Sequence, residues 1–159
     1  MTDNAEQAIK QPIKTPSFAA TGGEDIALQD LQGQIVVLYF YPRDNTPGCT
    51  REGQDFRDLY KDFQKAGAQI IGVSRDSLKT HENFSAKHEF PFPLIADPDE
   101  TLCNYFGVIK EKNMYGKKVM GIERSTFLID AKGNIAHAWR KVKVPDHAAA
   151  VLEQVRELG

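Results

Sequence analysis

The apolar positions of this chain fall into two periods. The run Ile35-Val-Val-Leu-Tyr-Phe-Tyr41 is continuous, apolar and β-rich, and is bounded by Gly33 and Pro42. That predicts a strand buried on both faces. The segment AQIIGVS (68–74) predicts a second strand of the same kind. Between them, Phe56, Leu59, Tyr60 and Phe63 fall at i, i+3, i+4 and i+7, which predicts one helix from Cys49 to Ala66, stopped by Gly67. Another helix is expected from Ser77, whose hydroxyl suits an N-cap, to about Glu89. A short strand in FPLIAD and a short helix in DETLCNYF, ended by Gly107, follow. FAATGGEDIAL reads as two short strands around a Gly-Gly turn, and STFLID with NIAHAWRKV as a hairpin around AKGN. The closing segment PDHAAAVLEQVREL is a helix with Pro145 near its start. KEKNMYGKKVM (110–120) is polar and basic, which predicts a solvated loop. The polar residues 1–12 are expected to be loosely held.

The order is a β hairpin, then β-α-β-α-β-α, a second hairpin and a final helix. It implies a mainly parallel sheet covered on both faces, to which the late hairpin adds antiparallel strands. The expected fold is therefore a three-layer α/β sandwich. A length of 159 residues suits one domain over 1–159 with one substantial core. With 20 basic and 22 acidic residues, the net charge of −2 leaves no excess to neutralise a phosphate backbone. Nucleic acid is not an expected partner. The longest apolar run, 35–41, is too short for a bilayer, and MTDNAEQAIKQP lacks the charged flank and apolar stretch of a secretory signal. Two cysteines make no disulfide framework, which favours a reducing, cytoplasmic location.

Candidate chemistry centres on Cys49, in YPRDNTPGCTREGQDF. A thiol reacts as its thiolate. The first turn of a helix, with its unpaired N–H groups and macrodipole, favours an anion there. Thr46, three residues earlier, can offer its hydroxyl to the sulfur or to a substrate, and Pro42 and Pro47 stiffen the loop. Glu52 reads either as an ordinary first-turn carboxylate or as a group that holds an arginine, whereas Arg43 and Arg51 read as solvated. Arg124 stands at the edge of an apolar strand, where the plain expectation is a surface position.

Pro42, Thr46 and Cys49 form the pattern P-x-x-x-T-x-x-C, which resembles that of peroxiredoxins. YFYPRDNTPGCTREG, followed in order by GVSRDS, FPLIADPDE and GIERSTFLID, is similar to the peroxiredoxin Q group, also called bacterioferritin comigratory proteins, over roughly residues 15 to 158. The resemblance implies a thioredoxin-like fold with a mixed central sheet and an N-terminal β hairpin. It also implies a peroxidase that reduces hydrogen peroxide and organic hydroperoxides. Cys49 would be the attacking thiolate and would become a sulfenic acid. Charge then spreads over the sulfur and two oxygens, and donors at Thr46, Gly48 and Cys49 would stabilise it. Arg124 matches the family's catalytic arginine, and Pro42 shapes the loop. The resemblance further implies thioredoxin or a similar dithiol as reductant, a monomer, and no metal or other cofactor.

Turnover requires that the sulfenic acid be reduced. Some members of the group carry a resolving cysteine five residues after the first, where this chain has Gln54. Others carry it about thirty-six residues on, where this chain has Ser85. Two readings of Ser85 stand: an engineered replacement of a resolving cysteine, or a natural serine on a half-exposed helix. Cys103 sits in an apolar cluster with Leu102 and Phe106 and reads as packing rather than as a resolver. The histidines at 81, 88, 137 and 147 show no metal-ligand spacing. A non-enzymatic redox sensor switched at Cys49 is the alternative function. A thiol–disulfide oxidoreductase would need a C-x-x-C pair, which is missing.

Overall fold

Strand β3 (Ile35–Phe40) is buried at every position, as its unbroken apolar run predicts, and it lies inside the sheet rather than at an edge. The structure, a computed structural model, describes residues 9–159. A seven-stranded sheet runs in the order β2 (Glu24–Ile26), β1 (Phe18–Ala20), β5 (Leu94–Ala96), β4 (Ala68–Ser74), β3, β8 (Ser125–Ile129), β9 (Ile135–Arg140). Only the β3–β4 and β4–β5 pairs are parallel; the other four are antiparallel. The sheet is thus mixed rather than mainly parallel, because β8 pairs with β3 and the first hairpin joins β5.

Alternation along the central strands divides the core in two. Val36, Leu38, Phe40, Ile71, Val73 and Ile95 face one layer, covered by the short helix α4 (Thr101–Tyr105) and by Ile9 and Ile13. Val37, Tyr39, Ile70 and Leu94 face the other. That face is covered by α1 (Pro47–Asp58), α2 (Tyr60–Lys65), α3 (Leu78–His88) and α5 (His147–Leu158). Ser77 caps α3 as expected, its Oγ accepting the Thr80 N–H at 3.2 Å. Of the segment expected to be loose, residues 1–8 lie outside the described residues, and Ile9 is buried against the core.

Two elements differ from expectation. The helix expected over 49–66 is split at Leu59, whose N–H bonds to Phe56 O at 3.2 Å in a tightened turn, and it begins at Pro47 rather than Cys49. The apolar stripe continues across the break, so the periodicity carries no sign of it. Residues 110–120 are not a loop but most of a hairpin, β6 (Ile109–Met114) with β7 (Lys117–Ile122). Tyr115 (φ 53°) and Gly116 (φ 78°) supply the left-handed pair that a two-residue hairpin turn needs. Both faces of its outer half are wet, which erases the apolar alternation that signals a strand. Among the described residues no helix is long and apolar enough to cross a membrane.

Candidate active site

The site is assembled where β3 passes into α1. Pro42 follows the strand, Asn45 takes a left-handed conformation (φ 65°), Thr46 is the N-cap residue and Pro47 opens the helix. Cys49 is the third helical residue and is 2% exposed. The Thr50 N–H donates to Thr46 O at 2.9 Å. The N–H groups of Gly48 and Cys49 lie in the turn whose donors have no intrahelical partner, so they and the macrodipole attract negative charge at the sulfur. The Thr46 hydroxyl does not cap the helix; it donates to Arg43 O at 3.1 Å, leaving its oxygen lone pairs unused by that bond.

Arg124 arrives from the far side of the chain. β8 pairs antiparallel with β3 and sets Ser125 opposite Phe40, so the residue before Ser125 lies beside the loop that leaves β3. The Arg124 side chain is only 16% exposed, which excludes a plain surface position. Its Nη2 stands 3.5 Å from Cys49 Sγ, and its Nη1 donates to Glu52 Oε1 at 2.6 Å. Burial opposes the guanidinium charge, but Glu52 and Cys49 outweigh it and hold Arg124 firmly protonated. Glu52 is therefore the group that holds the arginine. It is buried, and among the described residues its second oxygen, Oε2, has no hydrogen-bond partner. Burial pushes its carboxyl up to about 7, against the opposing pull of Arg124. Gly48 permits the arrangement, since a Cβ there would sit 3.2 Å from Arg124 Nη2. A cation and a helix N-terminus thus converge on one sulfur, which is what a thiolate and a developing oxyanion require.

Sequence reasoning missed a polar cluster behind the loop. Tyr41 OH donates to Asp44 Oδ1 at 2.6 Å, His81 Nδ1 lies 2.6 Å from Asp44 Oδ2, and the Asp44 N–H donates to Asp76 Oδ2 at 2.6 Å. Ser74 Oγ donates to the same Asp76 oxygen at 2.8 Å, and His81 Nε2 reaches Ile95 O at 2.9 Å. The ligand-type atoms of Asp44, Asp76 and His81 lie within 4.8 Å of one another, so carboxylates do gather around one of the histidines. All three side chains are already engaged with protein partners, which makes the cluster a closed hydrogen-bond network rather than an open ligand set. His147, at the start of α5, contacts Thr126 Oγ1 at 2.8 Å; burial and Arg124 bring it down to about 4, so it is neutral.

The remaining candidates are spread over the molecule. Cys103 is fully buried in the core layer opposite the one that contains Cys49, with the sheet between them. Burial and the neighbouring Asp97 push its thiol well up. Ser85 lies on α3, half-buried, beside a groove shared with Phe90, Pro91 and Phe92. Gln54, on α1, faces the end of α3, with Nε2 3.5 Å from His88 Nδ1.

Residues 9–138 match the model of the AhpC/TSA family. Peroxiredoxin Bcp of Xanthomonas campestris is 59% identical over 156 residues, spanning 98% of this chain and 97% of that protein. A solved structure of the X. campestris bacterioferritin comigratory protein, a trapped intermediate/ligand complex bearing on its alkyl peroxide reduction activity, has a TM-score of 0.86. It is 56% identical and covers 89% of this chain and 90% of that one. X. campestris peroxiredoxin Q has also been solved with either of two cysteines changed to serine, and those two are spaced as Cys49 and Ser85 are here. The first of these variants has a TM-score of 0.87 at 56% identity and covers 91% and 92% of the two chains. With the family match spanning most of its length, and the expected fold present, this chain belongs to the AhpC/TSA family, among the peroxiredoxins of the Bcp, or peroxiredoxin Q, group.

Proposed function

We propose that the chain is a thiol peroxidase acting on hydrogen peroxide and alkyl hydroperoxides, with Cys49 as its nucleophile. The observation that carries this reading is the Arg124 guanidinium 3.5 Å from Cys49 Sγ at the N-terminus of α1. The Cys49 thiolate attacks one peroxide oxygen, so an S–O bond forms as the O–O bond breaks. The leaving oxygen takes a proton and departs as water or alcohol, and the sulfur, oxidised by two electrons, becomes a sulfenic acid. Arg124 and the Gly48 and Cys49 N–H groups stabilise the charge that spreads over sulfur and oxygen, and the Thr46 hydroxyl joins them as a donor once it turns from Arg43 O. Pro42 keeps the loop in register, and Glu52 holds Arg124 against the sulfur.

Resolution then needs an outside thiol. Neither Gln54 nor Ser85 can attack the sulfenic acid as a thiolate, and Cys103 is on the other side of the sheet. A dithiol such as thioredoxin supplies both electrons: its first sulfur displaces water from Cys49, and its second releases the reduced enzyme. Two unpaired cysteines suit a reducing, cytoplasmic setting, and the resemblance to the peroxiredoxin Q group supports a monomer.

Single-turnover peroxide consumption tests this function. Wild-type protein should consume one equivalent rapidly and Cys49→Ser none. Equal rates for the two would overturn the mechanism. A wild-type rate no faster than that of a small free thiol would instead leave Cys49 as a sensor.

A further inference from the structure

Asp44 is the one buried residue between Pro42 and Thr46. That loop has little local support. Asn45 is left-handed, and the Thr46 hydroxyl turns back to Arg43 O instead of capping α1. Its fixed point is the Asp44 carboxylate, which takes Tyr41 OH on one oxygen and His81 on the other, while the Asp44 N–H is held by Asp76. His81 comes from α3, and its second nitrogen faces Ile95 O on β5. Both ring nitrogens therefore lie within hydrogen-bond distance of an oxygen, and the ring bridges Asp44 to β5. Both side chains are 0% exposed.

We propose that His81, acting through Asp44, is a positioning residue for Cys49. The buried pair fixes the loop to α3 and β5. It thereby fixes where the Gly48 and Cys49 N–H groups point and the 3.5 Å gap between the sulfur and Arg124. The inference rests on Cys49 being the reacting thiol. A pair that only stabilised the fold would lower the melting temperature and leave the chemistry of each folded molecule unchanged. A pair that positions the site lowers the rate with peroxide, which needs aligned donors, more than the rate with an alkylating reagent, which needs only an accessible thiolate.

The experiment measures single-turnover oxidation by hydrogen peroxide and alkylation by iodoacetamide, at a temperature where circular dichroism shows each protein folded. His81→Gln and Asp44→Asn should oxidise at least about tenfold more slowly than wild type without a matching loss of alkylation. The double variant should lose no more than the worse single, because the pair acts as one unit. Leu102→Ala, which opens a cavity on the opposite face of the sheet, should lower the melting temperature and keep the peroxide rate. If folded His81→Gln and Asp44→Asn oxidise at the wild-type rate, or lose alkylation in equal measure, the proposal is overturned while the function of Cys49 stands. Should both fail to fold, Tyr41→Phe removes one hydroxyl from the same carboxylate and is expected to slow oxidation severalfold. An unchanged rate there also overturns the proposal.

Discussion

Glu52 holds Arg124 through one oxygen: Oε1 accepts from Nη1 at 2.6 Å, while Oε2 is buried without a partner among the described residues. The carboxylate thus positions the guanidinium from below while remaining costly to ionise. The folded protein keeps a proton on Glu52 up to about pH 7, whereas the ordinary value of 4.5 means the unfolded chain has already released it. The stability this group contributes is complete below about pH 4.5 and is lost as pH rises to about 7, a decline on the order of 3 kcal/mol. Glu52→Gln needs no ionisation and should flatten that slope. Urea unfolding at about pH 5 and about pH 8 will show the variant gaining on wild type at the higher pH; parallel slopes would refute it.

Arg124→Lys keeps the positive charge and removes the fork. An ammonium cannot reach Glu52 and the sulfur together, so peroxide oxidation of Cys49 should slow by about two to three orders of magnitude, as read by stopped-flow. A loss below about threefold would show that charge alone is enough.

Two glycines in α1 separate chemistry from stability. A Cβ at Gly48 meets Arg124 Nη2 at 3.2 Å, so Gly48→Ala should push the guanidinium off the sulfur and cut the oxidation rate about tenfold, with little change in melting temperature. A Cβ at Gly53 would lie 2.4 Å from Phe90 Cζ, so Gly53→Ala should overpack the core by about 1–3 kcal/mol. Equal effects of the two on stability would contradict the assignment.

Because the sheet separates the thiols, one equivalent of peroxide should add one oxygen to the intact mass of the chain. A loss of two hydrogens would mean that Cys103 had reached Cys49. Cys103→Ser should leave the oxidation rate within about twofold of wild type, since placing a hydroxyl where a buried thiol stood on the far layer touches stability and not the site.

The parts legible in the sequence were those with local causes. β3 and β4 announce themselves as continuous apolar runs, and the loop before Cys49 carries its prolines and threonine within eight residues. Arg124, 75 residues beyond Cys49, reads as a surface position on its own pattern, and the family resemblance is what marks it. Asp44 and His81 are 37 residues apart on different elements, and a lone aspartate and a lone histidine carry no periodic signal of their pairing. The β6–β7 hairpin escaped for another reason: exposure on both faces of its outer half leaves no apolar alternation to read.

The wall of strands between Cys49 and Cys103 also makes the two sulfurs report on different events. Cys49, at 2% exposure, lies in the first turn of α1 beside the loop that leaves β3. Cys103, at 0% exposure within the opposite layer, is labelled only when the core itself opens. In the native protein a thiol probe should therefore show one fast stoichiometric phase and one very slow one. The slow phase is an internal clock for whole-molecule unfolding, running in the unmodified chain.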